Sequence, residues 1–359
     1  MAVPAPLARG GGGRVSPRRD HGPVELGLSL GLSPREREGR FVELARSAER
    51  LGVDALWVID SQLAMKDAYV GLALLAHETE RIRIGPGVTN LVTRHETVIA
   101  NAMASLASIA PGRVTVGLGA GDSSVFPLGR RPSTIRECEA GVRRLRSLLA
   151  GEEVEGEAGG LRLSFAPDPP PPVYLAASQP RMLRLAGAVA DGVIVMGPAD
   201  PETVRMQMAD VDAGAERAGR DPRAVFRDLW VTVAVGPTAV ADVKSWASAQ
   251  ARWLTKWKQV PASLERFRDE MERSAATYDF GDHLSLRAGH AEAISDDFAR
   301  SLAVAGDREE CRRRLISLAG VGVDRITLTL LSGGRESRLE ELAEIWDAVR
   351  SDLDPAVAP

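Results

Sequence analysis

"IRIGPGVTNLVTRHETVIANAMASL", residues 82–106, starts as an apolar strand, passes through Gly85-Pro86-Gly87 and the polar pair Thr89-Asn90, and ends in helical period. A strand handed over to a helix through an elbow of small residues is one βα unit. The same hand-over recurs from Val24 onward. Short runs rich in Val, Ile and Leu alternate with longer stretches of helical period, the pattern of strands buried on both faces in a parallel sheet. The expected strands are VELGLSL (24–30), ALWVI (55–59), IRIGPG (82–87), RVTVGLG (113–119), PVYLAAS (172–178), GVIVM (192–196), LWVTVAV (229–235) and RITLTLL (325–331). Eight such strands with helices between them close an α/β (β/α)8 TIM barrel.

The joints support this reading. A helix is expected from Pro34 to Leu51, with Ser33 as N-cap, Pro34 at its first position and Gly52 as its stop. "RLGVD" and "LAGVGVD" repeat a joint in which a helix stops at glycine and a strand follows within a few residues. Two segments break the repeat. Residues 151–172 read as a hairpin-like excursion ending in a stiff proline run, and residues 236–307, an extended helical insertion between the seventh and eighth strands, are too long for one crossover helix. The barrel is thus expected as a single domain over 23–352, with a disordered tail at 1–22 and a short tail at 353–359.

Within the insertion, Trp246, Trp253 and Trp257 are spaced seven and four apart and are expected on one helical face, as core, as a substrate lid or as an interface. Further on, Tyr278, Asp282, His283 and His290 lie near one another in sequence, where a polar cluster could line a barrel mouth. Their spacing does not suit a metal site.

Composition excludes several classes of function. With 359 residues, 44% hydrophobic and 26% charged, and a net charge of -4, the chain can bury a large core and lacks the basic surplus of a nucleic-acid binder. The arginines at 143, 144 and 146 are expected to form a solvated helix face. Cys138 and Cys311 lie far apart in helical patterns and indicate neither a disulfide framework nor a metal knuckle, which points to a reducing, cytoplasmic setting. No apolar run reaches membrane-spanning length, and residues 1–22 lack the apolar core of a signal peptide.

A barrel carries its chemistry just past the carboxyl ends of its strands. Those positions hold Asp60-Ser61-Gln62, then Gly87-Val88-Thr89-Asn90 and Arg94-His95, then Gly119-Ala120-Gly121-Asp122-Ser123-Ser124, then Ala176-Ala177-Ser178-Gln179, and finally Gly197-Pro198. Such a set suits a small-molecule ligand with several polar parts. In "AASQPRMLRLAG", Ser178 is expected to cap the helix that Pro180 opens, with Arg181 in the first turn as a counter-ion for a phosphate. "GLGAGDSS" lacks both the Lys-Ser/Thr ending of a P-loop and the GxGxxG of a dinucleotide fold.

Taken in order, "GVDALWVIDSQ", "IRIGPGVTNLVTRHETVIANAMASL", "GRVTVGLGAGDSS", "PPVYLAASQPRMLRLAGAVADGVIV" and "AGDREECRRRLISLAGVGVDRITL" span nearly all of residues 24–331. The chain resembles the bacterial luciferase-like superfamily of flavin- and deazaflavin-dependent barrel oxidoreductases. Within it, the chain is similar to the branch of methylene-tetrahydromethanopterin reductases that use coenzyme F420. The resemblance implies a cis peptide at Gly87-Val88 whose bulge backs the cofactor ring, with Thr89 and Asn90 offering hydrogen bonds. It implies Asp60 beside the ring, Asp122 at the position of an acidic proton donor, with Asp122, Asp60 or solvent as the candidate proton relay, and cofactor contacts from Gly119, Ala120, Gly121 and Gly197. Ala176, Ala177, Ser178 and Gln179 match the loop that holds the cofactor phosphate. Ser61 stands where the family often has histidine, and Gln179 where it often has glycine.

The implied reaction is hydride transfer between reduced deazaflavin and a C=N or activated C=C bond of a small organic substrate. Two alternatives stay open: an FMN-dependent monooxygenase served by a separate flavin reductase, and a barrel without cofactor acting as a binding subunit. A homodimer is the family expectation, with the apolar helix "TVIANAMASLASIA" as a candidate contact.

Overall fold

The computed structural model describes residues 23–257, 260–277, 289–330 and 335–353. The first three units run β1 (Glu25–Leu30), α1 (Glu38–Arg50), β2 (Ala55–Val58), α2 (Ala68–Glu78), β3 (Arg83–Pro86), β4 (Thr89–Asn90) and α3 (Glu96–Ile109). They are followed by β5 (Val116–Gly119), α4 (Ile135–Leu149), the β6–β7 hairpin (Val154–Gly156, Gly159–Leu161), β8 (Val173–Ala177), α5 (Pro180–Val189), β9 (Gly192–Met196) and α6 (Pro201–Arg217). After β10 (Phe226–Val235) come α7 (Ala239–Leu254), α8 (Ala262–Glu265), α9 (Arg268–Thr277), α10 (Asp296–Leu302) and β11 (Val304–Gly306). The described chain ends with α11 (Arg308–Ala319), β12 (Arg325–Leu330) and α12 (Arg335–Leu353).

The strands run parallel in the order β3-β2-β1-β12-β10-β9-β8-β5-β4. β3 and β4 are two halves of one strand, interrupted at Gly87-Val88. The lower half closes the ring, because the Ile84 N–H donates to the Arg113 carbonyl at 2.8 Å and the Thr115 N–H donates to the Ile84 carbonyl at 2.9 Å. The upper half pairs with β5 through Thr89 and Asn90. The barrel therefore has the expected eight positions. The excursion at 151–172 contains the antiparallel β6–β7 hairpin. The insertion builds its own apolar core from α7, α8, α9 and α10, around Val243, Leu264, Met271 and Phe298, and returns through β11, which pairs with the end of β10. β11, three residues long, is too short to announce itself by periodicity.

Large aromatic side chains fill the barrel where its strands carry glycine. Trp57, Tyr174, Ile194 and Trp230 form one buried cluster, with Val88, Ala176, Met196 and Phe226 packed on it. A Cβ at Gly85 would lie 2.0 Å from the Thr115 carbonyl oxygen and 2.9 Å from the Trp57 ring, so only glycine leaves room for that indole. Below the aromatics, register places Glu25, Arg325 and Asp228 side by side on β1, β12 and β10. Asp228, fully buried, accepts hydrogen bonds from Thr327 Oγ1 at 2.6 Å, Trp57 Nε1 at 2.9 Å and Arg325 Nη1 at 3.1 Å. Burial pushes the Asp228 carboxyl up, against the pull of Arg325, Thr327 and Trp57. Burial alone would lower the Arg325 guanidinium, but Asp228 and its other partners outweigh that and hold it above the ordinary value.

Several sequence expectations are corrected. α1 starts at Glu38 rather than Pro34, with Arg37 as N-cap, because Ser33 spends its carbonyl and hydroxyl on a turn to Glu36 and Arg35. The helix does stop at Gly52, whose φ of +80° suits glycine. α7 ends at Leu254, so Trp257 lies beyond it and the three tryptophans do not share a helix face. The arginines of α4 are not merely solvated: Arg144 pairs with Glu96 and Arg146 with Asp191, tying α4 to neighbouring segments. Residues 1–22, Tyr278, Asp282, His283 and the tail at 354–359 lie outside the described residues, as does the side chain of His290.

Candidate functional site

The carboxyl ends of the strands come together through short side-chain contacts. Ser61 Oγ, past β2, meets Ser123 Oγ, past β5, at 3.1 Å, and the Gln62 side-chain amide donates to the Ser124 carbonyl. Asn90 Nδ2 donates to Ser124 Oγ at 3.0 Å, while its carbonyl oxygen accepts from the N–H groups of Val92 and Thr93, both at 3.0 Å. Asn90 is thus a turn-former as well as a link between two strand ends. These contacts fix the loops that carry Asp60, Thr89 and Asp122 on one side of the mouth.

The two acids differ in setting. Asp60 is 7% exposed, and its Oδ2 faces Arg94 Nε at 3.5 Å, the outer limit of a direct contact. Arg94 turns its stronger bond outward, donating from Nη2 to Asp67 Oδ2 at 2.8 Å, and lies over the Tyr69 ring at 4.1 Å. Tyr69 donates to Thr89 Oγ1 at 3.1 Å, and burial pushes its phenol up to about 12, so it remains a donor at neutral pH. Asp122 has a side chain 36% exposed and faces Arg252 Nη2 of α7 at 3.5 Å. The insertion therefore reaches over the mouth and places a buried cation against the acid of β5. Neither Tyr69 nor Arg252 carries a sequence signal: each is a single side chain within a helix, with no local motif to mark it.

The peptide Gly87-Val88 is cis, as the resemblance implied. Val88 stands on the inner face of the strand end, and a Cβ at Gly119 would lie 2.7 Å from Val88 Cγ2. Val88, Ala176 and Met196, all packed on the aromatic cluster, form an apolar platform at the top of the barrel. Gly121 has a φ of +97°, which suits glycine, and Ala120 beside it packs against the main core.

Past β8 and β9, Ser178, Met196, Gly197 and Pro198 line a crevice with Gln250, Trp253, Leu254 and Trp257. Here the helix-capping expectation is corrected. Gln179, not Ser178, is the N-cap of α5, with no side-chain cap, while the Ser178 carbonyl accepts from Gln207 Nε2 at 3.1 Å. A side chain as long as glutamine does not fold back on the first turn as serine would, so the N–H groups opening α5 have no side-chain cap. Gln207 Oε1, Gln250 Oε1 and Trp257 Nε1 are buried without a hydrogen-bond partner in the described structure. Gly197 leaves room for the Gln207 amide, which a Cβ there would approach to 3.0 Å.

An apolar platform beside a rim of uncapped N–H groups and unsatisfied polar atoms fits a ligand with a flat ring and a polar, anionic extension. A sequence profile described as luciferase-like monooxygenase matches residues 23–325. The chain belongs to the luciferase-like monooxygenase family. Among its relatives in that family, the 5,10-methylenetetrahydromethanopterin reductase of Methanolobus tindarius is 30% identical over 302 residues, covering 80% of this chain and 89% of that protein. The F420-dependent hydroxymycolic acid dehydrogenase of Mycobacterium tuberculosis is 30% identical over 315 residues, covering 80% of this chain and 85% of that one. The fold also matches a solved F420-dependent secondary alcohol dehydrogenase in complex with an F420-acetone adduct, with a TM-score of 0.74, 21% identity, and coverage of 94% of this chain and 100% of that one. The luciferase-like chain thus has oxidoreductase relatives of nearly full length.

Among the described residues, no group of three or more His, Cys, Asp or Glu could hold a metal ion, and no helix is long and apolar enough to cross a membrane. Cys138 and Cys311 are buried, and burial pushes each thiol up to about 11, which leaves them unreactive thiols rather than nucleophiles.

Proposed function

We propose that the chain is a coenzyme F420-dependent oxidoreductase that transfers hydride between reduced deazaflavin and a C=N or activated C=C bond of a small organic substrate. The observation that carries this reading is the apolar platform of Val88, Ala176 and Met196 flanked by Asp60 and Asp122, in a family whose F420-dependent members align over nearly the whole chain. Bound coenzyme supplies hydride chemistry at the central carbon of its ring. The protein's own residues do the rest. Val88 supports the ring from below, with Gly119, Ala120 and Gly121 leaving the strand end low enough for it to approach. Thr89, Asn90 and Asp60 offer polar contacts along its edge. The backbone of Ala176, Ala177, Ser178 and Gln179, with Gly197 opposite, receives the phosphate at the uncapped start of α5.

With Ser61 in place of the usual histidine, the proton falls to Asp122. Its carboxyl holds or releases a proton at the substrate, and Arg252 orients it. α7 and the indoles of Trp253 and Trp257 cover the rim and exclude water from the reacting atoms. The enzyme works in a reducing cytoplasm, where its two buried thiols stay free, and as a homodimer through α2 and α3, where Val70, Val98 and Ile109 are exposed. Sedimentation tests the dimer: a monomer mass at micromolar concentration would refute it.

The functional test is turnover of the coenzyme's visible absorbance with a panel of imine and activated-alkene acceptors, and of their reduced forms. Substrate-dependent absorbance change that requires F420 supports the assignment. Oxygen consumption with FMN and a flavin reductase, and none with F420, would move the chain to the monooxygenase side of its family.

A further inference from the structure

A cleft with a volume of about 490 Å³ lies between the start of α6, the end of α10 and the face of α11. Four arginines line it: Arg266, Arg300, Arg313 and Arg314. Only Arg313 has a carboxylate partner, Glu310. Arg314 gives its N–H groups to the carbonyls of Ala303 and Ala199, at 2.7 and 3.0 Å, and Arg300 donates to the Ala305 carbonyl at 3.1 Å. Arg266 lies over the Phe267 ring at 4.5 Å.

Three carboxylates, Asp200, Asp297 and Glu310, line the cleft with the four arginines and leave one positive charge in excess. Asp200 is occupied as the N-cap of α6, accepting from the Thr203 N–H and hydroxyl and from the Ser263 hydroxyl. Asp297 remains, exposed at the start of α10. Burial, together with repulsion from Arg300 and Arg313, lowers the Arg314 guanidinium below its ordinary value. A half-buried guanidinium hydrogen-bonded to carbonyls, in a cleft with more cations than carboxylates, favours an anion.

Position says which anion. The loop after β9 is shared: Gly197 and Pro198 line the crevice beside the α5 N-terminus, and the next residues, Ala199, Asp200 and Pro201, line the arginine cleft. Coenzyme F420 carries a chain of γ-linked glutamates beyond its phosphate, a polycarboxylate opposite in charge to the exposed guanidiniums of Arg266, Arg300 and Arg313. We infer that this cleft binds the glutamate tail of the coenzyme, an inference that rests on the reading of the barrel mouth given above.

The test compares binding of F420 carrying a long glutamate tail with binding of the same coenzyme lacking glutamates, at low and high salt, in the wild type and in an R266Q/R300Q variant. Both substituted arginines are exposed and outside the barrel core, and circular dichroism checks the variant's fold. Expected is a preference of about tenfold for the long tail at low salt, weakened by salt and abolished in the variant, with tail-less affinity unchanged. Equal affinity for the two forms in the wild type, or a preference that survives in the variant, overturns the tail site and leaves the cofactor assignment standing. If neither form binds, the cofactor assignment falls and the tail site falls with it.

Discussion

The barrel holds Asp–Arg pairs at both ends, and they are built differently. At the floor, Asp228 and Arg325 are 0% and 1% exposed, and the acid is held by three donors at 3.1 Å or closer. At the mouth, Asp60 and Asp122 each face an arginine only at 3.5 Å, and Asp122 is partly open to solvent. The Asp228 carboxylate is saturated by its donors and keeps nothing in reserve for a ligand, although Arg325 Nη2, 3.0 Å from Glu25 Oε2, makes no hydrogen bond in the described structure. The mouth leaves its acids under-coordinated. Identical residue types therefore stand in different settings, and what separates the acids is hydrogen-bond saturation rather than burial alone, since Asp60 is itself buried.

The contrast breaks first at Asp228. Replacing it by alanine leaves the Arg325 charge, the Trp57 N–H and the Thr327 hydroxyl without their acceptor, and should cost about 3–5 kcal/mol of stability. Urea denaturation reads it, and a loss below about 1 kcal/mol would mean that the floor is not the saturated network described. The opposite result is expected for Asp122→Asn: a stability change within about 1 kcal/mol and a fall in turnover on the order of a hundred- to ten-thousand-fold. Unchanged turnover would remove Asp122 from proton transfer.

Gly85→Ala sharpens the comparison from the packing side. The added methyl meets the Thr115 carbonyl and the Trp57 ring, and should cost about 1–3 kcal/mol in the same denaturation experiment. The smallest effect is expected at Tyr69→Phe, about 1 kcal/mol for one hydrogen bond. Here the sign of the pH dependence is fixed. The folded phenol titrates at about 12 against an ordinary 10.0, so its contribution is full below pH 10 and is lost as pH rises toward 12. Stability of the wild type should fall faster than that of the phenylalanine variant across that window, and parallel curves would contradict the burial of Tyr69.

Much of this was legible in the sequence, for reasons that differ by element. The eight barrel positions follow from apolar runs long enough to register as buried strands, and the strand-end acids follow from where such barrels place their chemistry. The resemblance supplied the cis bond at Gly87-Val88, which no spacing rule would have given. Arg252 was not legible, because a cation that crosses from an insertion helix to Asp122 is separated from it by 130 residues and leaves no local pattern. The cap at Gln179 was misassigned because serine is the stronger N-cap by propensity, yet the Ser178 carbonyl is engaged by a side chain of α6. Long-range partners outweighed local preference in both cases.

The central claim is that the mouth is a deazaflavin site. It is tested most directly by paired equilibrium titrations of the purified chain with coenzyme F420 and with FMN, following tryptophan quenching and cofactor fluorescence. Micromolar or tighter binding of F420, with FMN at least about tenfold weaker, is the predicted result. Tighter binding of FMN, or no binding of either, would contradict it.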